Sequence, residues 1–237
     1  MNVFITGNSS GLGLGLTEAL MDREAIVWGM SRRGCPIKSR YDDVLRDQQQ
    51  DLGNLTTLDD GLEQLLSDCQ RLDLVVLNAG VLGRIQEIST TDVHDVEHIM
   101  RVNVWSNKII LDWLIERQIP VDQIIAVSSG AALNMNYGWG AYSLSKAALN
   151  NLIQLYAPEM PGSHLCAWAP GLVDTAMQDY LCGEVDSDEF PSVQKLKDAR
   201  GSDDMPDPRK AADSLLDNLE TLRDNYDSGA FVDARSM

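Results

Sequence analysis

Residues 2–33 read NVFITGNSSGLGLGLTEALMDREAIVWGMSRR. Val3-Phe4-Ile5 is a short apolar run ending in Thr6-Gly7, a helical pattern runs on to about Arg23, and Ala25 to Met30 is a second apolar run. That order predicts strand, tight turn, helix, strand. Glycines at 7, 11 and 13 let the backbone turn sharply and come close to a ligand. The helix that opens there directs its first N–H groups and its positive dipole end at a phosphate. The spacing is G-x-x-x-G-x-G, not the commoner G-x-G-x-x-G of dinucleotide folds. In such folds an acid near the end of the second strand holds the ribose 2′-hydroxyl, and an arginine instead accommodates a 2′-phosphate. Here the segment is Ser31-Arg32-Arg33, with no Asp or Glu, so the expected cofactor is NADP(H) rather than NAD(H).

The same alternation continues outward from this unit. A short strand is expected around Val44 to Gln50, with Asp51-Leu52 just beyond it, and a helix over Asn54 to Gln70 with Leu55, Leu58, Leu62, Leu65 and Leu66 on one side. Leu72 to Leu77 reads as a buried strand ending in Asn78-Ala79-Gly80. Thr91 to Gln118 reads as one long or broken helical segment carrying Asn103. Val121 to Val127 is the next strand, followed by a helix running to about Tyr156 and a strand over Leu165 to Ala169 that ends in Pro170-Gly171. Short helices are expected at Thr175 to Leu181 and Val193 to Ala199, a longer one at Pro206 to Asp224, and a last strand at Ala230 to Asp233. Strands alternating with helices predict a doubly wound α/β fold of about seven parallel strands with helices on both faces, in a single domain spanning 1–237. Thr6, Arg32, Asp51, Asn78, Ser129 and Pro170-Gly171 all fall at or just after carboxyl ends of these strands, the edge along which open α/β sheets bind ligands.

The chemistry is expected between Ser128 and Lys146, SSGAALNMNYGWGAYSLSK. A hydroxyl pair, Ser128-Ser129, closes an apolar run, and a Gly- and aromatic-rich loop leads to Tyr142, four residues before Lys146. Four residues is about one helical turn, so phenol and ammonium share a face. A cation about 4 Å away in a partly shielded site is worth roughly 4 kcal/mol, and about 1.4 kcal/mol moves a pKa by one unit. Lys146 is therefore expected to bring the phenol down from about 10 towards neutrality, where a proton donor works best.

Composition narrows the function classes. The formal net charge of −17 argues against nucleic acid and anionic membrane as partners, yet Arg32, Arg33, Lys38 and Arg40 cluster within nine residues, which suggests a small anionic ligand. No apolar run approaches the roughly 20 residues of a membrane span, and the glycine-rich segment begins too early for a signal peptide. Cys35, Cys69, Cys166 and Cys182 are scattered without metal-ligand spacing, as expected of reduced thiols in the cytoplasm. His94 and His98 stand at i, i+4 without a third ligand, so they read as solvated helix residues and no metal is expected.

With these residues in place, the chain resembles the short-chain dehydrogenase/reductase family in its compact single-domain branch. Thr6-Gly7, Gly11 and Gly13 resemble the family's cofactor turn, Asn78-Ala79-Gly80 its mid-sheet motif, Asn103 its helix-borne asparagine, and Ser129, Tyr142 and Lys146 its catalytic trio. Ser129 precedes Tyr142 by thirteen positions, the family's usual spacing, which favours it over Ser128. The resemblance implies cofactor contacts at Ser9, Ser10, Leu12 and Arg33 beside Arg32, at Asp51-Leu52 along the adenine, and at Pro170-Gly171, Val173 and Thr175 along the nicotinamide. It implies that Ser129 holds a substrate carbonyl while Tyr142 protonates it. Lys146 would also bind the nicotinamide ribose, and Asn103 would hold a water that feeds protons to Lys146. SSGAALNMNYGWGAYSLSKAALN and PGLVDTAMQ resemble the bacterial sepiapterin and benzil reductase group, which implies an NADPH-dependent reductase of bulky, often aromatic ketones and diketones. Tyr137, Trp139, Met135 and Met177 would then flank the substrate in company with a substrate loop at 172–205. The resemblance also implies a homodimer or homotetramer. The alternative is an NADP(H)-binding sensor or scaffold without turnover.

Overall fold

The computed structural model describes residues 1–237. Seven strands form one parallel sheet: β1 (Asn2–Thr6), β2 (Ile26–Ser31), β3 (Leu45–Gln49), β4 (Leu72–Leu77), β5 (Val121–Val127), β6 (His164–Ala169) and β7 (Ala230–Asp233), in the order β3-β2-β1-β4-β5-β6-β7. Strand order reverses between β1 and β4, and that is where an open α/β sheet leaves a crevice for ligand.

Both faces of the sheet are covered, and for that reason its central strands are predominantly apolar rather than alternating with polar residues, while β3 at the sheet edge is LRDQQ. Val3 and Ile5 point to one face and Phe4 to the other, all fully buried. On the first face lie α1 (Gly11–Asp22), α9 (Pro208–Asp217) and α10 (Leu219–Asn225), packing Leu16, Leu20, Leu215 and Leu222. On the second face lie α2 (Leu58–Leu66), α4 (Ser106–Glu116) and α6 (Gly140–Tyr156), packing Leu62, Ile110, Leu149 and Ile153. A third, smaller core forms above the carboxyl edge, where α7 (Ala176–Gly183) and α8 (Ser192–Ala199) bring Leu181, Val193 and Leu196 onto Leu82, Ile85 and Tyr142.

Local differences from the sequence reading have physical causes. Thr91 to Gln118, expected as one long or broken helical segment, is the broken form: α3 (Val93–Met100) passes into a π turn at Arg101–Trp105 before α4. That turn carries Asn103 inward, where its side chain holds Val81 and Ser145. Asn54 to Gln70 yields a helix only over Leu58–Leu66, preceded by a 3-10 turn at Leu55–Thr57. Pro206 to Asp224 is interrupted at Asn218, whose amide donates to the Ser214 carbonyl at 2.8 Å and so competes with helix continuation. The loop before α6 contains a short helix, α5 (Ala131–Asn134), that no periodicity announces. No helix is long and apolar enough to cross a membrane.

Candidate active site

A cavity of about 370 Å³ opens along the carboxyl edge of the sheet, and most of the residues singled out from the sequence surround it. At one end stand Gly7, Ser9, Ser10, Gly11 and Leu12 from the β1–α1 turn. Ser10 caps α1 in an extended conformation without a side-chain cap, and the first turn contains no acid. The leading N–H groups of α1 thus face the cavity without a capping acceptor, an arrangement that fits a phosphate. Gly7 turns the chain there at φ +74°. Thr6 and Gly13 are not on the cavity wall. The Thr6 hydroxyl accepts from the N–H groups of Asn78 and Ala79 at 3.0 and 3.1 Å, and the Asn78 amide donates to the Thr6 carbonyl at 2.9 Å. Thr6 therefore braces β1 to the segment after β4 beneath the cavity floor. Gly13 exists for close approach: a Cβ there would stand 2.2 Å from the Gly7 carbonyl oxygen.

The basic residues after β2 divide. Arg32 and Arg33 line the cavity, and the Arg33 guanidinium donates to the Ser10 hydroxyl at 3.1 Å, closing over the mouth of the glycine turn. Lys38 pairs instead with Asp42 at 3.0 Å. Ser31 also lines this end, with its hydroxyl buried and unpartnered. Asp51, Leu52, Asn78, Ala79 and Gly80 form the adjoining wall, and Pro170, Gly171, Val173 and Thr175 the wall opposite.

At the other end are Ser129, Tyr142 and Lys146. Tyr142 is 8 % and Lys146 3 % exposed, both on α6 one turn apart. Lys146 Nζ donates to the Val127 carbonyl at 2.7 Å and lies 5.6 Å from the centre of the Tyr142 ring. Burial pushes the phenol up to about 12, partly offset by the Ser129 hydroxyl, and pushes the ammonium down to about 8. The expected depression of the phenol by Lys146 is thus corrected: burial dominates at both groups, because a site that excludes water disfavours each charge, and the ammonium is held by the Val127 carbonyl rather than by the phenol. Ser128 also borders the cavity, but its hydroxyl is given to Asn150 at 2.5 Å.

Asn103 is fully buried behind this end and is not on the cavity wall. Its side-chain oxygen accepts from Val81 N–H at 2.8 Å, and its amide donates to the Val81 carbonyl and the Ser145 hydroxyl, each at 2.9 Å. Ser145 in turn donates to the Tyr142 carbonyl at 2.7 Å. A Cβ at Gly80 would lie 3.4 Å from both Asn103 Oδ1 and Lys146 Nζ, so the asparagine and the lysine flank the same glycine.

Trp139 and Met177 stand on the cavity wall, Trp139 with its indole N–H given to Ser192 at 2.9 Å and its ring 6.2 Å from that of Tyr142. Tyr137 does not reach the wall, contrary to the sequence reading. It is 55 % exposed, stacks on Phe190 at 5.6 Å and gives its hydroxyl to Glu87. Met135 is exposed too, in a left-handed conformation at φ +47°. The sequence reading missed Leu172, Gln178, Leu181 and Leu196, which complete the wall from the 172–205 region. Apolar spacing there marks Leu181 and Leu196 as packing residues, but which face meets the cavity is decided by tertiary structure. It also missed Arg235, whose side chain lies against Gly130 and Gly171 while paired with Asp233 at 2.6 Å.

A model described as short chain dehydrogenase matches residues 1–184. The chain belongs to the short-chain dehydrogenase/reductase family. Members are oxidoreductases that use nicotinamide dinucleotides, and the uncapped α1 and the cavity it opens into suit such a cofactor. Among similar members, a benzil reductase ((S)-benzoin forming) of Saccharomyces cerevisiae is 34% identical over 191 residues, covering 74% of this chain and 73% of that protein. A sepiapterin reductase of Bos taurus is 30% identical over 259 residues, covering 97% of this chain and 92% of that protein. In structure, the KRED1-Pglu enzyme superposes with a TM-score of 0.84 at 26% identity, over 98% of this chain and 100% of that one.

Proposed function

We propose that this short-chain oxidoreductase is a single-domain, NADPH-dependent reductase of bulky or aromatic ketones and diketones. The observation that carries the reading is one cavity with two chemically distinct ends: Ser129, Tyr142 and Lys146 at one, and at the other Arg32 and Arg33 directly after β2, where Ser31-Arg32-Arg33 contains no Asp or Glu. Similarity to benzil and sepiapterin reductases supports the substrate class.

Gly7, Ser9, Ser10, Gly11 and Leu12 would hold the dinucleotide's phosphates, with Arg32 and Arg33 on the 2′-phosphate, Asp51 and Leu52 along the adenine, Pro170, Gly171, Val173 and Thr175 along the nicotinamide, and Asn78, Ala79 and Gly80 beneath it. The nicotinamide, when bound, supplies a hydride to the carbonyl carbon. Ser129 orients the carbonyl oxygen with a hydrogen bond. Tyr142, kept protonated at neutral pH by a pKa of about 12, donates its proton to that oxygen as charge develops on it. Lys146, still charged below about 8, stabilises the phenolate left behind and reaches the nicotinamide ribose. Asn103 holds Val81 and the Tyr142 helix at a fixed separation, which keeps Lys146 and Tyr142 aligned. Trp139 and Met177 offer a flat apolar ligand their faces.

Two further features suit this assignment. All four cysteines are free, as in a reducing compartment. Trp105, Leu144 and Leu155 are exposed on elements flanking the site, a surface suited to a homodimer or homotetramer.

The test is consumption of NADPH with benzil and a panel of ketones and diketones. Wild type should turn over at least one aromatic diketone, and Tyr142→Phe should lose about a hundredfold or more while still binding NADPH. Nucleotide binding without turnover on any substrate would instead make the protein a sensor.

A further inference from the structure

Behind the arginine end of the cavity, one carboxylate on β3 joins the loops that follow β1 and β2. Asn8, in the turn after β1, is fully buried, and its amide donates to Asp47 Oδ1 at 2.7 Å. The side chain crosses β2 over Gly29, which stands opposite Asp47 in the sheet; a Cβ at Gly29 would lie 1.8 Å from Asn8 Nδ2. The second oxygen, Asp47 Oδ2, accepts the Cys35 N–H at 2.9 Å. Cys35 follows Arg32, Arg33 and Gly34 in the loop after β2, and Gly34 turns that loop at φ +76° with its Cβ position 3.0 Å from the same oxygen. Gln49, further along β3, donates to the Arg33 carbonyl at 3.3 Å. Asn8, Cys35 and Asp47 are all absent from the cavity wall.

Each oxygen of Asp47 therefore serves an N–H group, and hydrogen bonds to a carboxylate are about twice as strong as neutral ones. Without them the loop bearing Arg32 and Arg33 would have to be ordered by the ligand itself, which lowers affinity. We propose that Asp47 is a positioning residue for dinucleotide selection, holding the arginine loop against the phosphate turn so that Arg32 and Arg33 are set for a 2′-phosphate. This rests on the NADPH reading of the cavity. Charge and position predict opposite signs. A carboxylate in this neighbourhood repels a phosphate, so by charge alone its removal tightens NADPH. By position its removal weakens NADPH, and NADH, which lacks the 2′-phosphate, is affected less.

Dissociation constants of NADPH and NADH are measured by fluorescence titration for wild type, Asp47→Ala, Asp47→Asn and Asn8→Ala, with a melting temperature for each. Wild type should prefer NADPH by about tenfold or more. Asp47→Ala should cut that preference by roughly fivefold, the worth of about one net hydrogen bond, through weaker NADPH. Asp47→Asn keeps an acceptor for the Cys35 N–H and can donate to the unpartnered Asn8 Oδ1, so it should stay within about twofold of wild type. Asn8→Ala breaks the bridge while leaving the charge in place and should also lower the preference; it carries the decision if Asp47→Ala does not fold. A carboxylate that served folding alone would lower the melting temperature and weaken both dinucleotides equally, and that unchanged preference overturns the proposal. So does tighter NADPH in both Asp47 variants, which is the charge effect alone, or a selective loss of NADH, which would put Asp47 on the ribose hydroxyls. If wild type itself holds NADH as tightly as NADPH, the NADPH reading fails and this proposal with it. A wild-type preference for NADPH that Asp47→Ala leaves intact removes only Asp47.

Discussion

Lys146 donates to the carbonyl oxygen of Val127 at 2.7 Å, so the ammonium is anchored to the end of β5 and not to the phenol of Tyr142. The strand fixes where the charge sits, and α6 fixes the phenol relative to it. Burial then separates the two titrations, with Lys146 down at about 8 and Tyr142 up at about 12. Over the range in which both are protonated, the phenol is ready to donate and the cation is ready to receive the phenolate's charge.

The pH dependence of reduction follows from that ordering. Between neutrality and the alkaline limb Tyr142 stays protonated, so the group that changes is Lys146. The kcat/KM for carbonyl reduction should be level near neutrality and fall as pH rises through about 8, as the ammonium loses its proton. A profile measured with saturating NADPH that rises through this range would remove Lys146 from the role.

The same burial makes Lys146 a stability liability. Its pKa is about 8 in the folded chain against 10.5 for an unburied lysine, so between these values the unfolded chain binds the extra proton. Stability therefore rises with pH across that window, and the full penalty applies below it. A depression of this size corresponds to roughly 3 kcal/mol, part of which the bond to Val127 offsets. Lys146→Met should abolish reduction yet raise urea-unfolding stability near neutrality by about 1–2 kcal/mol. The gain should shrink as unfolding is repeated at alkaline pH.

Discrimination between dinucleotides is assigned to the arginine pair. Arg33 is tied to Ser10 at 3.1 Å, while Arg32 has no protein partner within salt-bridge distance. Arg32→Ala and Arg33→Ala should each weaken NADPH by about tenfold and NADH by less than about threefold, as read by fluorescence titration. Equal losses for the two dinucleotides would show that neither arginine reads the 2′-phosphate.

Most of the sheet was legible because parallel strands buried on both faces are written as predominantly apolar runs; the edge strand β3, with Arg46, Asp47 and Gln48, is the exception. β4, β5 and β7 begin and end where those runs do. The residues after the strands were legible for the same reason, since finding the strand end finds the binding edge. What was not legible depends on solvent and tertiary contact. Spacing put Lys146 beside Tyr142 but carried no information on desolvation, so even the direction of the phenol's shift was misread. Composition put Tyr137 and Trp139 together in one loop, yet Gly138 between them turns the chain at φ +87°, sending Trp139 to the cavity and Tyr137 outward onto Phe190. Asp47 had no signal at all, because the two loops that its carboxylate joins meet it only in the folded chain.

Gly13 offers a last test, of a contact that the glycine spacing implied but could not explain. Gly13 does not touch the cavity; its hydrogen stands where a Cβ would lie 2.2 Å from the Gly7 carbonyl oxygen and 2.5 Å from Asn78 Nδ2. Both neighbours belong to the frame that joins β1 to the segment after β4, the Asn78 amide donating to Thr6 and Gly7 carbonyls at 2.9 and 3.3 Å. Adding a methyl must push α1 away from the sheet or break that frame, and either shift moves the leading N–H groups of the helix. Gly13→Ala should therefore cost about 1–3 kcal/mol of stability and weaken NADPH at the same time. Gly162→Ala, at a position where nothing lies within 4 Å, should change neither. If thermal melts and NADPH titration showed Gly13→Ala losing stability but keeping full affinity, the glycine would serve packing alone, and the phosphate site would be set by Gly7 and Gly11.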